Sequence, residues 1–223
     1  MKFIYPNLSL IMELKKQKLN ILVLESPVIF EKTLFSLKSA SDKKGDEISL
    51  YRNEEKCDFS RCADVIFSPF DLTYEKREIQ KKLFLSLQNT AETQDLLSAF
   101  AETNGRVLEL LSALHYQSEY QLDYAADFTL SEILKNYSVR LAEPVGNFAE
   151  KAIDYMTNIQ KMLCKDVFIF VNCEAYLATE DYAHIAKFAV YYDIYILFLQ
   201  NRQIYLNQEC NEYIIDLDLC EIH

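Results

Sequence analysis

Glycine, proline and tryptophan are scarce in this chain, and their scarcity narrows the structures it can form. The 223 residues include three glycines, four prolines and no tryptophan. So few glycines exclude long glycine-rich loops, and no repeat or low-complexity segment is visible. Half of the residues are hydrophobic, which argues against a disordered chain and provides for a sizeable core.

The chain also lacks the cysteine and histidine patterns of metal and redox proteins. Its six cysteines form no CxxC pair, and its three histidines do not stand at zinc-ligand spacing. Zinc sites and thioredoxin-type chemistry are therefore excluded, and no catalytic triad is recognisable. We expect the cysteines to be reduced, buried thiols.

No stretch of the sequence is apolar for long enough to cross a bilayer. Lys15, Lys16 and Lys18 interrupt the apolar N-terminal stretch, and no signal-peptide pattern is visible. The sequence therefore predicts a cytoplasmic protein with no membrane segment.

A shortage of positive charge bears on possible partners. The formal net charge is −11, which argues against a nucleic-acid binder because phosphate neutralisation needs a basic surface. Net charge does not say where the lysines and arginines lie, however. From the charge alone we would expect an acidic protein that avoids non-specific contacts.

The strongest structural signal lies towards the C-terminus. Residues 166–172 form a continuous run of β-branched and aromatic side chains, which is typical of a strand buried on both faces. A helix start follows at Thr179, and residues 194–199 form a second apolar run. Strand, helix and strand in this order predict a right-handed βαβ unit with two parallel strands.

The N-terminal part is expected to complete the same sheet. Residues 19–24 form a buried run, which is the expected parallel neighbour of the strand at 166–172. Ser26 and Pro27 predict a helix start. Further strands are predicted over 8–14, 47–52 and 64–68.

From Tyr74 to Lys165 the spacing of apolar residues is mostly helical. Three helix starts are predicted there: capping boxes at Asn89 with Glu92 and at Thr129 with Glu132, and Pro144 at a first helical position. The sequence therefore predicts an α/β fold. Its head domain, with a mixed or parallel sheet, spans 1–73 and 166–223, and an inserted α-helical leg domain spans 74–165.

The head lacks the glycine-rich loop that cradles nucleotide phosphates. Gly45, Gly105 and Gly146 are isolated, and none precedes Lys-Ser or Lys-Thr. The turn after residues 19–24 is Glu25-Ser-Pro, which offers a carboxylate where a phosphate would lie. The sequence therefore predicts no nucleotide-binding site.

Three acidic residues in the helical region stand at positions i, i+4 and i+8: Glu119, Asp123 and Asp127. On a helix these carboxylates would repel one another along one face. In a loop they could converge on one hard cation, although the pattern is not that of an EF-hand. The residues alone leave open a solvated acidic face and a cation site.

The basic residues are concentrated in the N-terminal part and in the helical region. The second group contains Lys76, Arg77, Lys81 and Lys82, with Lys135 and Arg140 beyond the acidic stretch. Such residues form either an ordinary charged helix face or contacts to a DNA backbone. The sequence shows no recognition helix and no aromatic platform in a basic setting, so base-specific readout is not expected.

Several short segments resemble the small spacer-acquisition protein family of type II-A CRISPR systems. They are Phe170-Val-Asn172, Ala175-Tyr-Leu177, Leu197-Phe-Leu199, and Arg202 with Tyr205. The resemblance implies a degenerate NTPase-like core without a phosphate loop. It also implies a homotetrameric ring that binds double-stranded DNA ends in antiviral defence. Calcium would be bound by the acids that match Glu119, Asp123 and Asp127.

The resemblance further implies DNA contacts at Lys135 and Arg140, to which we add Lys81 and Lys82 as candidates. No catalytic residue is expected. The adaptation integrase and the effector nuclease of the same system are the implied protein partners. Two other functions stay open: a metal-dependent nuclease or degenerate nucleotide-binding enzyme using the same acids, and an acidic scaffold that binds only proteins.

Overall fold

The computed structural model describes residues 1–125, 127–206 and 209–222. The chain divides into two compact units. Unit 1 comprises Met1–Thr73 and Glu143–His223, and unit 2 comprises Tyr74–Ala142. The predicted insertion extended to residue 165, so the difference concerns residues 143–165, which belong to unit 1.

The described residues form ten strands and seven α-helices. The strands are β1 Lys2–Tyr5, β2 Leu10–Glu13, β3 Asn20–Leu24, β4 Ser49–Arg52, β5 Glu55–Cys57, β6 Ala63–Ile66, β7 Val167–Val171, β8 Tyr195–Gln200, β9 Asn211–Ile215 and β10 Glu221–Ile222. The helices are α1 Pro27–Ser41, α2 Phe59–Cys62, α3 Arg77–Thr93, α4 Leu97–Gln117, α5 Leu130–Asn136, α6 Phe148–Leu163 and α7 Thr179–Tyr192. The predicted mixed α/β fold with a helical insertion is confirmed.

Unit 1 is built on a six-stranded sheet with the strand order β10-β9-β3-β8-β7-β6. The strands from β9 to β6 are parallel, and β10 pairs antiparallel with β9 at one edge. Every residue of β7 is buried, and Val167 pairs in register with Tyr195 of β8. With α7 between these two strands, the predicted βαβ unit is confirmed.

The predicted neighbour of β7 is wrong. We expected β3 beside it, but β7 lies between β6 and β8, and β3 pairs with β8 and β9. The backbone N–H of Asp166 donates to the carbonyl of Cys62 at 3.1 Å, which starts β7 alongside β6. Strands β6 and β7 are consecutive in the chain, and consecutive strands are usually adjacent in a sheet.

A second, antiparallel sheet of unit 1 has the order β2-β1-β4-β5. In β2 the side chains of Leu10 and Met12 are buried and the two between and after them are exposed, as expected for a strand with one solvated face. Both sheets contribute to one apolar core, with Phe3 and Met12 from the smaller sheet and Leu22 and Ile169 from the larger.

Helix α6 belongs to unit 1 because its apolar face is buried there. Tyr155 is fully buried, and its hydroxyl donates to one oxygen of Asp64 at 2.6 Å. The ammonium of Lys165 donates to the other oxygen of Asp64 at 3.0 Å. These bonds connect α6 and the start of β7 to β6. Helical periodicity cannot show which unit a helix packs against, so the sequence assigned α6 to the insertion.

The predicted start of α6 at Pro144 is also wrong. The helix begins at Phe148, after Asn147, whose side chain accepts from the N–H of Glu150 at 2.9 Å. The Glu150 carboxylate in turn accepts from the N–H of Asn147 at 2.9 Å, which completes a capping box. Gly146 has φ +102, a left-handed conformation that a helix beginning at Pro144 could not contain.

Unit 2 contains α3, α4 and α5. The predicted helix start at Asn89 is wrong, since Asn89 and Glu92 lie inside α3. Residues three apart are also neighbours on a continuous helix, so this spacing does not require a terminus. The chain turns instead at Asp95, where φ is 55. The predicted capping box of Thr129 and Glu132 at the start of α5 is confirmed.

No residue of α4 is buried, although α4 is long and rich in apolar residues. The seam positions, at alternating intervals of three and four, are apolar except for Asn104: Leu97, Phe100, Asn104, Val107, Leu111 and Leu114. This is the spacing of a coiled-coil seam. Its four middle positions are half-buried, and Leu97 and Leu114 at its ends are exposed. The seam is therefore partly covered.

Candidate nucleic-acid interface

One face of α3 combines positive charge with an aromatic ring. Arg77, Lys81 and Phe84 stand at positions i, i+4 and i+7, so their side chains share one side of the helix. Gln80 lies on the same side. Lys82 follows Lys81 directly and therefore points about 100° away around the helix.

Helix α5 ends in a Schellman motif. The N–H of Val139 donates to the carbonyl of Leu134 at 2.8 Å, and that of Ser138 donates to the carbonyl of Lys135 at 2.9 Å. Ser138 has φ 50, in the left-handed region that this motif requires. The motif typically brings the side chains at the positions of Leu134 and Val139 into contact. Lys135 and Arg140 follow them directly and are exposed.

The face of α3 and the end of α5 together line an open groove of about 470 Å³. Four basic side chains lie along it: Arg77, Lys81, Lys135 and Arg140. Three half-buried apolar side chains form its floor: Phe84, Leu134 and Val139. Gln80 and Ser138 complete the lining. We call this feature the basic groove.

Two polar contacts hold the walls of the basic groove together. The side-chain amide of Gln88 on α3 donates to the hydroxyl of Ser131 on α5 at 3.1 Å. At the other end, Arg140 approaches the carboxylate of Glu75 at 3.8 Å. The start of α5 therefore lies beside the end of α3, and the residues after α5 lie near the start of α3.

Among the described residues, a larger fraction of the basic side chains is unpaired in the basic groove than in unit 1. Most basic residues of unit 1 lie in ion pairs, among them Lys16 with Asp193, Lys18 with Glu209, Lys38 with Asp42, Arg52 with Asp166, and Arg202 with Glu174. Among the described residues, Arg77, Lys81 and Lys135 make no ion pair, and the pair formed by Arg140 is long. The groove is therefore suited to an anion despite the acidic net charge.

One carboxylate near the basic groove is directed away from it. Glu132 accepts hydrogen bonds from the backbone N–H and the hydroxyl of Thr129 at 2.6 and 2.9 Å. These two hydrogen bonds hold the pKa of Glu132 below its usual value, and the bond from the backbone N–H has the larger effect. The negative charge thus lies at the first turn of α5, where the helix dipole favours it. The groove is at the opposite end of this helix.

Three of the four predicted DNA contacts line the basic groove: Lys81, Lys135 and Arg140. Lys82 does not line it. The sequence missed the role of Phe84 as a lining residue and did not separate Arg77 from its charged neighbours. The spacing of Arg77, Lys81 and Phe84 could have indicated a common face, but only the packing of α5 against α3 shows that this face is concave.

The three predicted calcium ligands lie between α4 and α5, where residues 118–125 and 127–129 are not helical. This segment turns back along α4. The N–H of Leu122 donates to Nδ1 of His115 at 3.2 Å, and Ser112 and Tyr124 share a hydrogen bond of 3.1 Å. Further on, the ring of Phe128 packs edge-on against that of Phe100, with centroids 5.7 Å apart.

The donor chemistry of Glu119, Asp123 and Asp127 suits calcium, but their arrangement here is not yet a coordination shell. All three are exposed and have no side-chain partner among the described residues. No group of three acidic, cysteine or histidine side chains within the described ranges could hold a metal ion. Calcium binds oxygens at roughly 2.3–2.6 Å, so a shared ion would require the three carboxylates to lie closer together than they do here.

The carboxyl edge of the six-stranded sheet offers no phosphate cradle in the described part of unit 1. Glu25 follows β3, and its N–H is already bonded to the carbonyl of Ile215 at 3.0 Å. Helix α1 then begins at Pro27, which has no N–H to donate. The first turn of α1 therefore lacks the glycines, and one of the amides, of a nucleotide-phosphate site.

The thiols at this edge and elsewhere are free. All six cysteines are unpaired in disulfides, as predicted, but only Cys173 is buried. Burial, reinforced by the carboxylates of Glu174 and Asp71, raises the pKa of Cys173 to about 12. The thiolate is therefore scarce at neutral pH, and this residue is a poor nucleophile. In the described ranges, no helix combines the length and apolarity needed to span a membrane.

Comparisons with known proteins place these features in a family context. The family model of a CRISPR-associated protein, Cas_Csn2, matches residues 42–219. The CRISPR-associated protein Csn2 of Streptococcus agalactiae is 24% identical over 127 residues, which are 57% of this chain and 54% of that protein. The aligned part thus spans about half the length of this curated relative.

A solved structure shows the same fold. The crystal structure of Stu0660 of Streptococcus thermophilus superimposes with a TM-score of 0.62 at 15% identity, covering 96% of this chain and 74% of that chain. The family model covers well over half of the chain. The chain therefore belongs to the CRISPR-associated Cas_Csn2 family, and its predicted relationship to type II-A CRISPR systems is confirmed.

Proposed function

We propose that this protein binds double-stranded DNA through the basic groove and acts without catalysis in CRISPR spacer acquisition. The observation that carries the proposal is the juxtaposition of Arg77, Lys81, Lys135 and Arg140 in a groove where only one of them has an acidic partner among the described residues. Basic side chains of this kind contact phosphates and carry no sequence information. Binding is therefore independent of sequence.

The acidic net charge contributes to selectivity in this proposal. A surface whose basic residues are mostly paired with carboxylates repels DNA, so that only the basic groove attracts it. Lys82, which lies outside the groove on α3, adds to the local field without contacting the same phosphates. Affinity should then depend steeply on salt, because each phosphate contact releases counterions.

Calcium is the proposed cofactor, held by Glu119, Asp123 and Asp127. All three carboxylates are exposed and unpartnered in the described structure, so their mutual repulsion is not offset by lysine or arginine. A hard cation with oxygen ligands would offset this repulsion and draw the segment together. Because that segment leads from α4 into α5, a cation bound there would also stabilise the start of α5.

Self-association into a homotetrameric ring is part of the proposal. The exposed apolar side chains of α4 support it, since Leu97, Leu110 and Leu114 would be covered by self-association. Assembly would repeat the basic groove in each copy and hold a duplex at several points. The adaptation integrase and the effector nuclease are the proposed protein partners.

An electrophoretic mobility test on a linear duplex examines this proposal. With calcium present and salt low, we expect the protein to retard duplexes of unrelated sequence equally, and to lose affinity when a chelator is added. Absence of binding under both conditions would favour a protein-only scaffold. Cleavage of the duplex in magnesium, abolished by Asp123→Ala, would instead indicate a nuclease.

Thermal unfolding tests the metal site separately. Calcium should raise the thermal midpoint of the wild-type protein, because a ligand that binds only the folded state stabilises it. Glu119→Ala and Asp123→Ala should each abolish this rise. Glu109→Ala is the matched control, since it removes an exposed acid of α4 outside the segment. An equal calcium shift in all variants would show that the metal binds elsewhere.

A further inference from the structure

The basic groove has a feature that contact with a duplex backbone does not require. Exposed cations on a flat surface are enough to neutralise phosphates. The groove is concave instead, and its volume of about 470 Å³ lies in the range of pockets that hold small organic molecules. Its lining includes the half-buried apolar side chains of Phe84, Leu134 and Val139 beside the basic ones. The fitting ligand therefore has an apolar part as well as negative charge.

An unpaired nucleotide combines these two properties. Its base has an apolar face that stacks on aromatic rings, and its phosphate is an anion. Arg77 and Lys81 precede Phe84 on the same face of α3, while Lys135 of α5 also lines the groove. Gln80 offers hydrogen-bonding groups to a base edge. Bases inside a duplex are paired and stacked and cannot enter, whereas a base at a frayed or overhanging end can.

We propose that the basic groove binds an unpaired nucleotide at the end of a DNA duplex, with its base against Phe84 and its phosphates held by Lys81 and Lys135. This proposal rests on the proposed DNA binding and specifies which form of DNA is bound. From the sequence we expected no aromatic platform in a basic setting, although Lys81 and Lys82 closely precede Phe84. The packing of α5 on α3 adds Lys135, which is distant in the chain, to the same groove.

The number of cations favours a strand over a free nucleotide. A mononucleotide presents one phosphate to four basic side chains, whereas a strand presents several in succession. None of the residues that line the groove is a glycine, so it lacks the glycine-rich loop of a nucleotide site. A strand terminus that remains attached to a duplex would use all four cations at once.

The test compares two linear duplexes of equal length, one blunt and one with a short single-stranded overhang. The measured quantity is the ratio of their affinities, with a fluorescent adenine analogue in the overhang as a second readout. For the wild-type protein we expect a preference for the overhang on the order of tenfold. We also expect the analogue to brighten as it leaves its stacked neighbour.

Two matched substitutions locate the stacking partner. Phe84→Leu keeps an apolar floor but removes the ring, so the affinity ratio should fall to near one and the analogue should stay dim. Tyr137→Leu removes an exposed ring at the end of the same helix α5, outside the groove lining, and should leave the ratio unchanged. Loss of the preference in Tyr137→Leu but not in Phe84→Leu would overturn the assignment.

The experiment distinguishes a failure of the unpaired-nucleotide site from a failure of DNA binding itself. If both duplexes bind equally and the analogue does not respond, DNA binding stands and the unpaired-nucleotide site is wrong. If neither duplex binds, the proposed function itself fails. If a free mononucleotide at the concentration of the overhang removes the preference, the groove serves free nucleotides and the assignment to strand ends is overturned.

Discussion

At the scale of single residues, the side of the helix on which a lysine lies matters more for contact with DNA than its charge alone. Lys81 and Lys82 are adjacent, equally basic, exposed and unpaired among the described residues, and the sequence predicted both as DNA contacts. The structure separates them, because helical geometry turns only Lys81 towards Phe84 and α5. Because the two lysines are adjacent in sequence, substitutions at the two positions can be compared directly to test the groove.

We predict that Lys81→Ala weakens duplex binding more than Lys82→Ala. Both substitutions remove one positive charge from α3, so their effects on the long-range field are similar. Only the first removes a contact in the groove, which should flatten the dependence of log affinity on log salt by roughly one unit. Titrations at several salt concentrations measure this slope. Equal losses in the two variants would show that the charge of α3, and not the groove, attracts DNA.

At the scale of elements, the end of α5 organises the basic groove. Its Schellman motif sets Leu134 and Val139 in the floor and Lys135 and Arg140 at the rim, and the motif depends on the left-handed backbone of Ser138. Glycine adopts this conformation without strain, whereas a β-branched residue does so at a considerable cost.

We predict opposite outcomes for two substitutions of Ser138. Ser138→Gly should keep or raise stability and preserve duplex affinity, since glycine is the preferred residue at this position of the motif. Ser138→Val should lower the free energy of unfolding by about 1–2 kcal/mol and weaken duplex binding as the groove distorts. Urea unfolding and duplex titration check both effects. A valine variant as stable and as tight-binding as the wild type would contradict this account of the groove.

The elements also show what a single sequence can reveal. Continuous apolar runs predicted β7 and β8, and one capping box predicted α5, because these signals are local. Which strands lie beside β7 depends on where the chain rejoins the sheet after unit 2, and the spacing of apolar residues does not show this. The predicted capping box at Asn89 is wrong because residues three apart are also neighbours inside a continuous helix. Phe84 was overlooked because its basic neighbours across the groove are far away in the chain.

At the scale of the whole molecule, the distribution of charge explains how an acidic chain could bind an anionic partner. Unit 1 contains many carboxylates that already hold its lysines and arginines in ion pairs. Unit 2 brings four basic side chains together in one groove. Membership of the Cas_Csn2 family connects the chain with CRISPR systems, and DNA as the partner of the groove is our proposal.

The salt dependence of duplex binding is the most direct test of DNA binding through the basic groove. Lys135→Ala combined with Arg140→Ala should weaken binding to every duplex alike and lower the salt slope by roughly two units, one for each lost phosphate contact. Lys161→Ala combined with Lys187→Ala removes the same charge from exposed positions of α6 and α7 outside the groove, and should leave the slope near that of the wild type. An unchanged slope in the groove variant, or an equal loss in the control, would contradict DNA binding through the basic groove.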